Sequence, residues 1–151
     1  MDVSKLEIRW VEKSDYNSWL DIYRAYAEHY EFKLTPKGIV VTWSWLMDEH
    51  HPLKGLCCVF DNKIVGLAHY REIPSSLEGK TMGFLDDLIV HKKFRRNGIA
   101  ERLLKKLQSV CQDSGWITVW WVTKEDNYEA RKVYDKVARK TDWALYEMDI
   151  G

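Results

Sequence analysis

The chain has 151 residues, 46% of them apolar, with 8 Trp and 8 Tyr. That length predicts one domain, residues 1–151, burying about two-thirds of its unfolded surface, and the apolar and aromatic content excludes a disordered chain. Its 23 basic and 23 acidic residues cancel to a formal net charge of zero, which argues against a nucleic-acid-binding module, usually basic overall.

Leu6 to Val11 alternates and predicts a first strand. Asp15 is placed to cap a helix running to about His29, with Trp19, Ile22, Tyr23 and Tyr26 on its inner face. Thr35-Pro36 opens a second helix reaching about Glu49, because proline suits a first turn. Leu56 to Phe60 and Ile64 to Arg71 read as strands joined by the tight turn Asp61-Asn62-Lys63. Pro74 to Lys80 reads as a polar loop, and Met82 to Val90 as the long central strand. Gly98 to about Asp113 predicts a helix with Ile99, Leu103, Leu104 and Leu107 inside, stopped at Ser114-Gly115. Ile117 to Val122 predicts a fifth strand, Tyr128 to about Val137 a fourth helix, and Ala144 to Asp149 a last strand. The order βααβββαβαβ is that of an α/β protein.

No stretch approaches the length of a membrane span and the N-terminus has no apolar signal core, so no membrane association is expected. Three cysteines, Cys57 and Cys58 adjacent and Cys111 on a helix, make no disulfide framework, and the expected compartment is cytoplasmic. They read as small core residues.

Leu85-Asp-Asp-Leu-Ile-Val90 leads through Phe94-Arg-Arg-Asn-Gly-Ile-Ala100 into Glu101-Arg-Leu-Leu-Lys-Lys-Leu107. An apolar strand thus breaks at a basic, glycine-containing turn that opens an amphipathic helix. Free N–H groups at a helix start carry partial positive charge and attract phosphates. Gly98 and Ala100 let a ligand approach the backbone, while Lys92, Lys93, Arg95 and Arg96 add full charges. Neither a Walker loop nor a dinucleotide-binding glycine fingerprint occurs in the chain.

The turn Arg95-x-x-Gly98-x-Ala100 resembles the Arg/Gln-x-x-Gly-x-Gly/Ala signature of the GCN5-related N-acetyltransferase superfamily. Further on, Asn127-Tyr-Glu-Ala130-Arg-Lys-Val-Tyr134 resembles that family's Asn-x-x-Ala-x-x-x-Tyr motif, in the same order and at the same spacing. The resemblance covers roughly residues 64 to 149. It implies a mixed central sheet whose fourth and fifth strands splay apart, flanked by helices. It also implies acetyl-CoA as cosubstrate, with its pyrophosphate over Arg95, Arg96, Asn97, Gly98, Ile99, Ala100 and Glu101. The pantetheine arm would pair with the main chain of Leu88, Ile89 and Val90 as an added strand would.

An amine of pKa about 10.4 must lose a proton before it attacks a thioester. The candidate base is Asp86, directly or through a water, with Asp87 as neighbour or alternate; this pair resembles the Glu-Asp pair of polyamine acetyltransferases in the family. Consecutive strand residues face opposite ways, so both reach one slot only across a bulge. A structural role for Asp86, pairing a cation, is the competing reading. Tyr134 stands at the family's general-acid position, to protonate the departing thiolate; alternatively it is a core aromatic. Asn127 either bonds pantetheine or caps its helix. His69 falls beside the cleft, where ordinary packing is the simpler reading. His50 and His51 lack ligand spacing, and no metal is expected.

Charge is segregated. Lys92 to Lys106 holds seven bases and one acid, whereas Glu12 to Glu31 holds five acids and two bases. Glu28, Tyr30 and Glu31 could surround a cationic acceptor, by charge and by aromatic face. The leading expectation is a small-amine or polyamine acceptor. The alternatives are a protein lysine or N-terminus, and a non-catalytic coenzyme-A-binding module. The paired tryptophans Trp43, Trp45, Trp120 and Trp121 hint at large aromatic contact area, part of which could serve a homodimer interface of the kind the resemblance implies.

Overall fold

The computed structural model describes residues 1–151. Its elements are β1 (Glu7–Trp10), α1 (Tyr16–His29), α2 (Pro36–Met47), β2 (Leu53–Phe60), β3 (Lys63–Ser75), β4 (Lys80–Val90), α3 (Ile99–Asp113), β5 (Val119–Trp120) and α4 (Tyr128–Val137). The strands form one sheet in the order β1-β2-β3-β4-β5, antiparallel except for the parallel β4–β5 pair.

Local chemistry accounts for most boundaries. Thr35 Oγ1 accepts the Gly38 N–H at 3.0 Å ahead of Pro36, starting α2. Asp61 and Asn62 both adopt positive φ, 51° and 61°, the backbone a two-residue hairpin needs. Asp15, expected to cap α1, accepts no N–H of that helix. Its oxygens accept from Arg9 Nη1 at 2.7 Å and Nη2 at 2.9 Å and from the Glu12 N–H, tying α1 to β1.

The sheet is covered on both faces. Leu56, Cys58, Val65, Ala68, Tyr70 and Leu85 pack under Ile99, Leu103, Leu104, Leu107 and Cys111 of α3. Cys57, Val59, Ile64, Leu67 and Ile89 pack under Trp19, Ile22 and Ile39 of α1 and α2. Adjacent Cys57 and Cys58 therefore enter opposite cores, as strand alternation requires, and all three cysteines are free and buried. Helix α3 lies so close to β3 that a Cβ on Gly66 would stand 2.6 Å from Ile99 Cγ2.

Three expected elements are corrected. The loop expected from Pro74 to Lys80 is mostly strand, because β3 and β4 pair out to Ser75 and Lys80 and leave only residues 76–79 as the turn. Residues Ala144 to Asp149 do not form a strand. Beyond Val137 the chain has no helix or strand, because a strand exists only by pairing and no edge of this sheet meets that segment. The fifth strand is likewise shorter than its pattern suggested. No helix is long and apolar enough to cross a membrane.

Candidate active site

β4 pairs with β3 over its whole length but with β5 only through Gly83↔Val119 and Phe84↔Trp120. Beyond those pairs the two strands part. The β4 edge from Leu85 through Leu88, Ile89 and Val90 faces the gap with no strand on that side, leaving main-chain groups to pair with an extended ligand. At the end of β4 the chain turns through His91 to Asn97 into α3.

That turn is held by its own side chains. Asn97 Nδ2 donates to the carbonyls of Phe94 at 3.0 Å and Arg95 at 3.2 Å, and Arg95 Nε to the Val90 carbonyl at 3.4 Å. Gly98 sits at φ 74°, where a side chain is strained, and nothing lies within 4 Å of where its Cβ would be. No side chain caps α3, and its first hydrogen bond runs from the Arg102 N–H to the Gly98 carbonyl. The N–H groups of Ile99, Ala100 and Glu101 are therefore unpaired and point out of the helix start. Arg96, 87% exposed, meets only Glu129 at 3.9 Å, and Glu101 is offset by Lys105 at 3.2 Å. Free donors, a bare glycine and an adjoining open strand edge fit a diphosphate followed by a pantetheine arm.

The paired aspartates lie at a β-bulge. His69 pairs with Asp87 and Tyr70 with Leu85, so Asp86 is the extra residue on β4. The bulge resets the alternation and turns both carboxylates to the α1 side of the sheet, the condition for both to serve one slot. Their partners differ. Both Asp86 oxygens accept from Arg71 Nε, at 3.0 and 3.1 Å. Burial raises the Asp86 carboxyl above the usual range, and the Arg71 cation opposes that rise. Arg71 lies over the Phe84 ring at 4.8 Å and makes no hydrogen bond through its two terminal nitrogens.

Asp87 Oδ2 lies 2.9 Å from His69 Nδ1, and His69 Nε2 lies 2.9 Å from Trp19 Nε1. An indole N–H only donates, so His69 Nε2 accepts and the ring proton is on Nδ1, donated to Asp87. His69 is 1% exposed and Trp19 fully buried. Tyr23 stacks on Trp19 at 5.1 Å, Trp43 lies 4.9 Å away, and the imidazole is thereby fixed. Sequence reasoning left His69 to core packing and missed Arg71 altogether. The available signal was their i, i+2 spacing on one strand face opposite an Asp-Asp pair.

Tyr134 lies edge-on to Trp121 at 5.4 Å, and burial, with Tyr30 nearby, pushes its phenol up to about 12. Burial first, then the Asp87 charge, raises the Tyr26 phenol. Asn127 takes the capping role: its Oδ1 accepts from the Ala130 N–H at 3.4 Å. Its Nδ2 donates to Thr123 Oγ1 at 3.2 Å and Tyr30 Oη at 3.4 Å, linking α4 to the end of α1. Glu28 and Glu31 line a cavity of about 440 Å³ with Arg24, Lys33 and Phe32. No hydrogen bond joins that cavity to Asp86 or Asp87, and two bases offset its two acids. No group of three or more His, Cys, Asp or Glu is arranged to hold a metal ion.

Residues 16–138 match the model of the Acetyltransferase (GNAT) family; the chain belongs to that family and is an N-acetyltransferase, of a class that takes its acetyl group from acetyl-CoA. It is 27% identical over 146 residues to the D-amino-acid N-acetyltransferase HPA3 of Saccharomyces cerevisiae, covering 95% of this chain and 90% of that one. It is 31% identical over 70 residues, 43% of this chain and 44% of the other, to the thialysine N-epsilon-acetyltransferase of Caenorhabditis elegans. A crystal structure described as a probable acetyltransferase superimposes with a TM-score of 0.86 over 96% of this chain and 98% of that one, at 20% identity, and so shares the fold.

Proposed function

We propose that this protein acetylates the amine of a small molecule that also carries a carboxylate, with Asp87 as general base and Tyr134 as general acid. When bound, acetyl-CoA supplies an acetyl thioester. The N–H groups of Ile99 to Glu101, with Arg95 and Arg96, hold its diphosphate, and the β4 edge from Leu88 to Val90 aligns the arm. Asp87, oriented by His69, takes a proton from the acceptor ammonium directly or through one water. The freed amine lone pair attacks the carbonyl carbon, the C–S bond breaks, the Tyr134 hydroxyl protonates the sulfur, and the second proton shed by the nitrogen as the amide forms restores the Tyr134 phenol. Its raised pKa, about 12, keeps that phenol protonated at neutral pH. We assign the base to Asp87 rather than Asp86 because both Asp86 oxygens are engaged by Arg71, whereas Asp87 Oδ1 makes no hydrogen bond.

The observation that carries the acceptor class is Arg71. Its guanidinium is braced through Nε and the Phe84 ring, leaving its terminal N–H groups to grip a carboxylate bidentately beside the base. The D-amino-acid activity of the Saccharomyces relative supports the same reading. A polyamine acceptor is the second reading, favoured by Glu28, Glu31 and Tyr30 at the end of α1. Thiol release from acetyl-CoA across D- and L-amino acids, their decarboxylated amines and polyamines tests both. We expect turnover with amino acids, and Arg71→Ala to raise KM for them but not for the decarboxylated amines. Turnover confined to polyamines overturns the carboxylate assignment, and no turnover with any amine overturns the small-amine reading.

A further inference from the structure

Strand β3 lines two separate spaces. Alternation sends Arg71 to the α1 face, against Asp86, and its neighbour Tyr70 into the core under α3. On that opposite face Tyr70 and Glu72 line a cavity of about 300 Å³ with Trp10, His51, Lys54 and Trp116. The cavity stands behind the acceptor cleft, across the sheet. It shares no lining residue with the cavity of Glu28 and Glu31.

The polar groups set deepest in it are donors with nothing to donate to. Tyr70 is 3% exposed; its Oη accepts from Trp10 Nε1 at 3.1 Å, and its own O–H reaches no acceptor. His51 Nδ1 accepts the Leu53 N–H at 3.0 Å, so the ring proton is on Nε2, which bonds nothing. Stacking on Trp45 at 4.9 Å holds that ring in place. Lys54 Nζ is aimed by the carbonyls of Glu49 at 2.9 Å and Asp48 at 3.5 Å, with one N–H left over. Hydroxyl, imidazole and ammonium donors around one space suit a carboxylate. The acids lie outward of them: Glu72 is exposed and the Glu49 side chain is 89% exposed. Between donors and acids the walls are aromatic. The Trp116 ring lies edge-on to Tyr70 and against Gly83, where a Cβ would stand 2.9 Å from it.

We infer that this cavity is a second, non-catalytic site, which takes a free amino acid with an apolar side chain. Its carboxylate lies on Tyr70, His51 and Lys54, its side chain between Trp10 and Trp116, and its ammonium at Glu72. A simple anion would meet Glu49 and Glu72 at the mouth. A simple cation would meet Lys54 inside, with Lys106 already over the Trp10 ring at 5.7 Å. Only a molecule carrying both charges satisfies both ends. Acetylation of its nitrogen removes the positive charge, so the site separates an amino acid from its N-acetyl derivative.

Proton–nitrogen spectra of the full chain, titrated with DL-phenylalanine, read the indole N–H signals of Trp10 and Trp116, which Trp10→Phe and Trp116→Phe identify. We expect both to shift saturably, and to do so equally in Arg71→Ala, which strips the cleft of its carboxylate grip. Tyr70→Phe, read at Trp116, and Glu72→Lys, at an exposed position that leaves the fold intact, should each weaken binding at least ~10-fold. N-acetylphenylalanine and phenethylamine, each lacking one charge, should bind weaker by a similar factor. Signals unmoved at millimolar phenylalanine, or shifts lost in Arg71→Ala, would overturn the second site. Indifference to Glu72→Lys, or equal binding of N-acetylphenylalanine, would overturn the assignment of its ligand. No readout here involves turnover, so failure of this site and failure of the acceptor reading are told apart.

Discussion

The imidazole of His69 donates to Asp87 across 2.9 Å from a site that is 1% exposed, while its other nitrogen accepts from Trp19. A buried ring pinned at both nitrogens holds one carboxylate oxygen and leaves the other to the cleft. The neighbouring Asp86, set out of register by the bulge, is claimed by Arg71 instead. Two adjacent aspartates thus have different partners, Asp87 the imidazole and Asp86 the guanidinium.

Asp87→Asn should lower kcat by about 10²- to 10⁴-fold, the usual worth of a general base, with acetyl-CoA affinity unchanged by calorimetry. Asp86→Asn should act on the acceptor KM instead, through the released Arg71. Equal kcat losses in both variants would break this division of labour.

Trp19→Phe removes the donor to His69 and leaves a buried acceptor unpaired. That should cost about 1–3 kcal/mol in urea unfolding. It should also lower kcat, because the imidazole proton is no longer confined to Nδ1 and the ring no longer holds Asp87 in one orientation. A stability loss with an unmoved kcat would make Trp19 purely a packing residue.

At Gly98, whose φ is 74°, alanine should destabilise by about 1 kcal/mol through backbone strain alone. Gly98→Glu also sets a carboxylate over the free N–H groups and should weaken acetyl-CoA binding more than ~10-fold. Unchanged affinity in a calorimetric titration would move the diphosphate elsewhere.

Alkaline stability should report Tyr23 and Tyr134, both raised to about 12, in each case by burial first. A folded pKa above the unfolded value of about 10 contributes stability that is whole below pH 10 and lost as pH rises through about 12. Tyr134→Phe should flatten that loss in urea melts between pH 9 and 12, and lower kcat by about 10²-fold or more.

At the acid end the sign reverses. Arg9 holds the Asp15 carboxyl below its usual range, so the pair's stability is present above pH about 4 and is lost as pH falls through the lower folded value. Asp15→Asn should remove that part of the acid sensitivity, read from thermal midpoints at pH 2 to 6.

Features written in local chemistry were legible in the sequence by itself: the Asp61-Asn62 turn, the Thr35-Pro36 helix start, the Gly98 turn and the apolar stripe of α3. Each depends on residues a few positions apart, where backbone sterics and periodicity act. The order of elements followed, and with it the family. The tertiary structure alone decided that Asp86 and Asp87 share a face, since a bulge is a mismatch between two strands and leaves no mark on either. It alone brought Trp19 to His69 from 50 residues away and gave Arg71 to one acid rather than the other. It also denied the segment after Thr141 its expected strand. Alternation records only that a stretch is able to pair; whether an edge stands beside it depends on where the rest of the sheet lies.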